Sequence, residues 1–117
     1  MTPAELSREL ALAIGYAPES VRIIPSDIAP EHEFCTVFTD RYACTSNWYD
    51  FDYREPDIAM PLLEWLMRTH RACAMVSRAE DAFCIMYDFY GICGRTIYSK
   101  TLPEAIARAV IAVKGRP

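Results

Sequence analysis

Hydrophobic residues in the C-terminal half of the chain form two continuous runs of strand length. The first covers residues 72–76 and the second covers 83–90, which is rich in aromatic and branched side chains. Such runs are typical of strands that are covered on both faces. The short polar segment 78–81 between them predicts a hairpin, and two glycines mark a second turn before a short strand at 96–98. This pattern predicts a three-stranded antiparallel meander.

Helical periodicity flanks this meander on both sides. After it, Thr101 and Glu104 form a capping box, and apolar residues then recur at helical spacing. Before it, apolar residues follow helical spacing over 58–69, with Asp57 as the expected N-cap and Pro61 at the end of the first turn. The sequence therefore predicts one helix before the meander and one after it.

The helix predicted over 58–69 is apolar on nearly all sides. Met60, Leu63 and Met67 form a stripe that is separate from the other apolar residues of the helix. A helix of this kind is either deeply buried or partly covered by another chain. Met60, Leu63 and Met67 are therefore candidates for a homodimer interface. Packing in the core is the favoured alternative, because buried helices are common in compact domains.

The N-terminal half begins with an amphipathic helix. Thr2 and Glu5 form a second capping box, and Gly15 is expected to end the helix. The apolar stripe of this helix includes Leu6 and Leu10, whereas Ser7 is predicted to lie away from it.

The segment after this helix has a weaker pattern. Residues 21–24 predict an edge strand, and residues 34–39 predict a second strand. A turn is expected at 40–41, followed by a short strand at 42–45. The prolines and charges of 27–33 predict an exposed acidic loop. We find no internal repeat in the sequence.

Together these patterns predict a single α+β domain over residues 1–117. A small antiparallel sheet, which consists of the three-stranded C-terminal meander and is open to additional strands, packs with three helices in an α/β/α sandwich-like arrangement. A chain of 117 residues with 52% hydrophobic content has the size and composition of one domain with its own core.

Composition and charge restrict the functional classes. The net charge of −4 and the pI of about 5.1 argue against a general polyanion-binding surface. No apolar run reaches the roughly 18 residues of a membrane helix, and the N-terminus lacks the pattern of a signal peptide. Five cysteines, three of them inside apolar runs, fit reduced and buried thiols. A cytoplasmic location is therefore expected.

Candidate catalytic and metal-ligating groups are sparse. His32 and His70 do not stand in a ligand pattern with the cysteines, so we expect no metal site and no cofactor. Cys93 with His70 would combine a thiol with a base, and Asp50 with Asp52 would form a carboxylate pair. Neither pair stands in a supporting motif. We therefore expect binding rather than catalysis.

Aromatic and acidic residues interleave in the segment 47–57. The candidate partner-binding residues in it are Trp48, Tyr49, Asp50, Phe51, Asp52 and Tyr53. One interpretation is a recognition loop, in which rigid aromatic rings supply contact area and carboxylates attract a basic partner. The alternative is a loop whose aromatic residues close the edge of the core while its acids stay in water. The alternative is favoured, because aromatic residues contribute much of any small core.

A family resemblance involves the starts of the last two helices. Residues 52–59 read Asp-Tyr-Arg-Glu-Pro-Asp-Ile-Ala, and residues 101–109 read Thr-Leu-Pro-Glu-Ala-Ile-Ala-Arg-Ala. With the N-terminal helix and the irregular middle, this pattern resembles the phage-associated α/β/α (ABA) sandwich domain family, mainly over 52–113. The resemblance implies a small accessory protein that is encoded by a phage or prophage and acts in the host bacterial cytoplasm. It implies no catalytic residues.

Three functions are compatible with these features. The first is non-enzymatic binding of a host protein, for example as an inhibitor of a defence system such as CRISPR–Cas, because an acidic protein can occlude a basic nucleic-acid groove. The second is nucleic-acid binding, since residues 57–114 have the element order of a double-stranded RNA-binding domain, although Lys100 alone is a poor phosphate clamp. The third is a nucleotide sponge, in which Trp48, Tyr49 and Tyr53 stack on a base.

Overall fold

The computed structural model of the chain describes residues 1–25, 32–42, 45–90 and 93–114. Within these ranges the chain forms three α-helices and two three-stranded antiparallel sheets, which confirms the predicted α+β class. Backbone contacts group the chain into two units, Met1–Tyr53 and Arg54–Pro117, and each is described by itself. A single domain over 1–117 stays a prediction.

The N-terminal unit consists of one α-helix followed by three strands. Its elements are α1 (Pro3–Ala13), a 3-10 turn (Pro18–Ser20), β1 (Val21–Pro25), β2 (Glu33–Tyr42) and β3 (Thr45–Asp50). The strands pair in the order β1-β2-β3, and each is antiparallel to the next. The Thr2 hydroxyl accepts a hydrogen bond from the Glu5 backbone N–H at 3.2 Å, so the predicted cap of α1 is confirmed.

Helix α1 packs on one face of this sheet. Leu6 and Leu10 are buried as predicted, but Ser7, which was expected to lie away from the apolar stripe, is buried as well. The Ser7 hydroxyl accepts a hydrogen bond from the backbone N–H of Tyr53 at 3.1 Å. A buried N–H without a partner costs about 1–3 kcal/mol. The hydroxyl therefore belongs on the buried side, where it ties the segment after β3 to α1.

Strand β2 is longer than the sequence pattern predicts. The turn expected at 40–41 lies inside the strand, and the register of β2 against β3 shifts between Thr39 and Tyr42. A bulge of this kind absorbs extra residues without ending the strand. The strand predicted over 42–45 is thereby divided between the end of β2 and the start of β3. Most of the loop predicted over 27–33 lies outside the described residues.

The C-terminal unit consists of a helix, three strands and a second helix. Its elements are α2 (Pro56–His70), β4 (Cys73–Ser77), β5 (Ala82–Tyr90), β6 (Cys93–Ser99) and α3 (Leu102–Lys114). The strands pair antiparallel in the order β4-β5-β6, which confirms the predicted meander. The helices pack against the sheet, where Ile85 and Tyr87 of the central strand are buried together with Ile106 and Val110 of α3.

Helix α2 begins earlier than predicted. Its N-cap is Glu55 rather than Asp57, and Pro56 follows in the first turn, where a missing N–H costs little. Asp57 then lies in the first turn, where a carboxylate interacts favourably with the helix dipole. Pro61 lies inside the helix, which continues to His70. The proline removes one intrahelical hydrogen bond near the start of the helix and does not end it.

Strand β4 is exposed, although its continuous apolar run predicted a strand covered on both faces. Every residue from Cys73 to Val76 is exposed. Among the described strands, β4 has β5 as its one neighbour, and the helices of the unit pack mainly on β5 and β6. The prediction of a strand covered on both faces is therefore wrong for β4. The composition of a strand does not determine how far the helices extend across the sheet.

The two units share an order of elements that the sequence did not reveal as a repeat. Each begins with a helix that is followed by a three-stranded meander. The second hairpin of each contains a register shift, between Thr39 and Tyr42 in one and between Tyr87 and Tyr90 in the other. Asp88, at the second shift, has a φ of 54°, a value that aspartate tolerates better than most residues. The same irregularity therefore recurs in both hairpins.

Cysteine burial differs sharply among the three thiols that the structure describes. Cys35 and Cys84 are buried, whereas Cys73 on β4 is exposed. Burial raises the pKa of the Cys35 thiol from its ordinary value of 9.0 to about 11, while Arg8 lowers it and Asp52 raises it. Cys35 is therefore an inert core thiol at neutral pH.

We expect the stability of the N-terminal unit to fall as the pH rises above 9. The folded-state pKa of Cys35 lies above the unfolded value of 9.0, so its contribution is complete below that pH and is lost as the pH rises through about 11. The expected loss is on the order of 2 kcal/mol in the free energy of unfolding. Urea unfolding on both sides of this range measures the loss, in a Trp65→Phe background in which Trp48 fluorescence reports on the N-terminal unit alone. Cys35→Ala should remove this part of the pH dependence and Cys73→Ala should leave it, whereas equal pH dependence in all three proteins would contradict the prediction.

Candidate functional site

Side chains of the N-terminal sheet alternate between two faces. The face toward α1 carries Val21, Cys35 and Val37, all of them buried. We call the opposite one the open face. Its described side chains are Arg22, Ile24, Phe34, Thr36, Phe38, Trp48 and Asp50.

Three aromatic residues lie on the open face. Phe34 and Phe38 lie four residues apart on the same face of β2 and are 37% and 42% exposed. Trp48 lies opposite Phe38 on β3. The ring centres of Phe38 and Trp48 are 5.5 Å apart, with an angle of 57° between the ring planes. An antiparallel sheet with one face in water normally carries polar residues on that face. Clustered aromatic exposure therefore marks the open face as a candidate contact surface.

Arg22 restrains the indole ring of Trp48. Its guanidinium carbon lies 3.8 Å from the ring centre, within the range of a cation–π contact. The Phe38 ring lies next to the same indole ring, tilted by 57° to it, and the Trp48 backbone N–H donates a hydrogen bond to Asn47 Oδ1 at 2.8 Å. Side chains that are already ordered lose less conformational entropy when a partner binds. The Arg22–Trp48–Phe38 stack is thus organised before any contact is made.

Strand β3 separates the residues that the sequence placed in one recognition loop. The first part of that segment is a strand rather than a loop. Because side chains alternate along a strand, Trp48 and Asp50 lie on the open face, whereas Tyr49 lies on the face toward α1, opposite Val37. Two of the six predicted contact residues therefore share the open face.

Phe51 and Tyr53 follow β3 and are buried. The backbone N–H of Phe51 donates to the Cys35 carbonyl at 2.9 Å, and its ring lies edge-on to Tyr16 with ring centres 5.9 Å apart. As core residues they are not exposed to a partner, in agreement with the alternative interpretation of these aromatic residues. Asp52, between them, is half-buried and makes contacts of its own.

Arg22, Phe34 and Phe38 of the open face were not among the predicted site residues. The sequence did contain a pattern that indicates a role for the two phenylalanines. The run 34–39 places Cys35 and Val37 on one side of a strand and aromatic rings on the other. A strand that is apolar on both sides of a small sheet predicts either a second covering layer or a binding face. Arg22 had no such signal, since only strand pairing brings it to Trp48.

Negative charge is concentrated in the unit that carries the open face. Met1–Tyr53 contains three basic and nine acidic residues, a net charge of −6, whereas Arg54–Pro117 contains nine basic and seven acidic residues, a net charge of +2. Asp50 places an exposed carboxylate on the open face itself. The net charge of −4 for the whole chain is therefore the sum of one strongly acidic unit and one weakly basic unit.

The predicted dimer stripe on α2 does not form one surface. Met60 and Met67 are 51% and 54% exposed, but Leu63 is buried along with Ala59 and Leu66. These three buried residues follow one another at helical spacing, so they form the line along which α2 packs in its own unit. Leu63 thus packs inside its own unit, and a dimer interface on Met60, Leu63 and Met67 stays a prediction.

A histidine–aspartate pair lies in the C-terminal unit. Nδ1 of His70 is 2.8 Å from Oδ1 of Asp88. The ring centre of Trp65 lies 5.1 Å from that of His70, and Lys114 Nζ lies 4.6 Å from the Trp65 ring centre. These contacts join the end of α2 to β5 and α3. The side chain of Cys93, the imagined nucleophile, lies outside the described residues, so the absence of catalysis stays a prediction.

The element order of a double-stranded RNA-binding domain is present in the C-terminal unit, as α2-β4-β5-β6-α3. The first turn of α3 does not add a cluster of basic groups, because Glu104 forms an ion pair with Arg108 at 3.0 Å. Lys100 is exposed just before this helix. Nucleic-acid binding by this unit stays a prediction that the local charge does not favour.

Metal ligands do not converge in the described part of the chain. No group of three or more His, Cys, Asp or Glu side chains there is arranged to hold a metal ion. Within the same residues, every helix is too short or too polar to cross a membrane.

Comparison of the chain with models of known protein families, with curated protein sequences and with solved structures gives no match.

Proposed function

We propose that this chain is a non-enzymatic binding protein whose N-terminal unit docks on a basic surface of another protein through the open face. The observation that carries this proposal is the pair of exposed Phe38 and half-buried Trp48, restrained by Arg22, on a unit of net charge −6. Tryptophan and arginine are the residue types that most often dominate the energy of protein interfaces. Surrounding negative charge accelerates capture of a basic partner and disfavours acidic ones.

The proposed partner is a host macromolecule, in keeping with the resemblance to a phage-associated family. Effectors of bacterial defence such as CRISPR–Cas complexes hold nucleic acid in basic grooves. An acidic protein with aromatic anchors can occupy such a groove by charge complementarity. The proposed place of action is the cytoplasm of the host bacterium.

A nucleic acid is a weaker candidate for the open face. Aromatic rings on a sheet can stack on unpaired bases, but such sites also need positive charge to hold the phosphates. The unit that carries the open face has three times as many acidic as basic residues, and Arg22 is already stacked on Trp48. The nucleotide sponge would use Trp48, Tyr49 and Tyr53, which lie on the open face, on the opposite face and in the core.

Affinity capture from bacterial lysate, with and without nuclease, tests the proposal. The tagged proteins are the wild type, the double variant Phe38→Ala/Trp48→Ala, and Tyr98→Ala, which removes an exposed aromatic ring from the C-terminal sheet as a matched control. We expect one protein to be retained at near-equal molar amount by the wild type and by Tyr98→Ala after nuclease treatment, and to be lost by the double variant. Loss on nuclease treatment would assign the function to nucleic-acid binding. Retention by the double variant would contradict a role for the open face.

A further inference from the structure

We propose that the chain forms a homodimer by antiparallel pairing of β4 with β4 of a second copy. This interface is independent of the open face. In the order β4-β5-β6, β4 is an edge strand, and no other described strand pairs with its outer side. The outward N–H and C=O groups of an edge strand are a template for another strand.

Strand β4 lacks the devices that normally protect an edge. Its five residues include no charged residue and no proline, and its pairing with β5 shows no register shift. Met75 and Val76 lie on opposite faces of the sheet and are 46% and 64% exposed. An exposed apolar edge without a lysine, a proline or a bulge is unfavourable in a monomer and favourable at an interface.

The length of β4 defines the register of the pairing. The antiparallel arrangement that uses all of Cys73–Ser77 in both copies is centred on Met75. Met75 then faces Met75 of the second copy, and Ala74 faces Val76. The two meanders become one six-stranded sheet with a two-fold axis between the β4 strands, an arrangement in which each copy contributes the same surface.

Charge complementarity favours a second copy as the occupant of this edge. Antiparallel pairing places the start of one β4 beside the end of the other. Arg71 precedes β4, and the turn after it carries Arg78, Glu80 and Asp81, a net charge of −1. The basic start of each strand thus lies beside the net acidic turn of the other copy, at both ends of the pair. A parallel arrangement would bring like ends together.

The expected dimer is weak and concentration-dependent. Stable interfaces bury roughly 1,200–2,000 Å² in total. Two five-residue strands contribute far fewer than the roughly 20–30 residues per partner of such an interface. We therefore expect a dissociation constant of the dimer in the micromolar range.

Sedimentation velocity over a wide range of protein concentration tests the dimer. The wild type should shift from monomer to dimer, and Val76→Lys should weaken the association by about tenfold or more, because it places a charge on the apolar edge. Met67→Lys, at an apolar site on α2 that is also more than half exposed, should dimerise like the wild type. A wild type that stays monomeric at all concentrations would overturn the proposal. A dimer that Met67→Lys disrupts and Val76→Lys spares would overturn it as well, in favour of an interface on α2.

Cysteine cross-linking in a Cys73→Ser background tests the register. Met75→Cys should form an intermolecular disulfide on mild oxidation, because directly opposed Cα atoms lie about 4.5–5.5 Å apart. Val76→Cys should not form this disulfide. In the proposed register the two residues at position 76 are offset along the strands, so their Cα atoms lie farther apart than the roughly 7 Å that a disulfide spans. Mapping of the cross-linked peptides identifies the bond. Equal cross-linking at both positions, or none at position 75, would overturn the β4 pairing.

Discussion

Replacing Trp48 by alanine is expected to weaken partner binding about 30-fold or more while leaving the N-terminal unit folded. Truncation of a central aromatic anchor costs about 2 kcal/mol or more of binding free energy, and each 1.4 kcal/mol is a factor of about ten. Trp48 also supports its neighbours, since its ring lies next to Phe38 and beneath the guanidinium of Arg22. Its loss therefore removes a contact and disorders the rest of the stack.

Titration calorimetry with the captured partner measures this loss. Trp48→Phe keeps an aromatic ring and should lose less affinity than Trp48→Ala, whereas Tyr98→Ala should bind like the wild type. Asp50→Lys should mainly lower the association rate and its dependence on salt, because an exposed carboxylate acts by long-range attraction. Far-ultraviolet circular dichroism and urea unfolding check that each variant is folded. An unchanged affinity of folded Trp48→Ala would refute the assignment of the open face.

Replacing Ile85 by alanine is expected to lower the free energy of unfolding of the C-terminal unit by about 2–5 kcal/mol. Ile85 lies on the central strand β5, its side chain has no exposed surface, and its strand neighbours are Ala74 and Ile97. Removing its outer atoms leaves a cavity that β4 and β6 on either side cannot fill without moving the backbone. The loss thus combines the transfer energy of the removed groups with the cost of the cavity.

Urea unfolding in a Trp48→Phe background isolates this effect, since Trp65 then reports on the C-terminal unit alone. Ile85→Val should cost about 0.5–1.5 kcal/mol. Thr96→Ala, at an exposed position on β6, should change stability by no more than about 0.5 kcal/mol. A loss below about 1 kcal/mol for Ile85→Ala would show that this residue does not lie in a tightly packed core.

The start of a helix could be predicted from the sequence where the capping residue and the backbone N–H that it binds are only three residues apart. Thr2 and Thr101 each accept a hydrogen bond from the backbone N–H three residues later, so the spacing alone located the starts of α1 and α3. For α2 the preference of aspartate for N-cap positions selected Asp57, which lies instead in the first turn. The helix begins after Glu55 because Pro56 suits its first turn.

The composition of the open face did not follow from the sequence, because it is built from three strands. Trp48 and Asp50 were identified because they stand in a conspicuous segment. Arg22 and Phe38 are distant from that segment along the chain, and only the pairings of β1 with β2 and of β2 with β3 bring them to Trp48. Adjacency in sequence was misleading for Tyr49, since neighbouring residues of a strand point to opposite faces.

By itself, the sequence determined the α+β class, the three helices, the C-terminal meander and the acidic character of the chain. These properties depend on residue types and on periodicity within single elements. Only the tertiary structure decided which apolar runs are covered. Strands β4 and β5 are both continuously apolar, yet Val76 is exposed and Ile85 is buried. The physical reason is that burial depends on the neighbouring strands and on the reach of the packed helices, which are properties of the assembled sheet and not of either run.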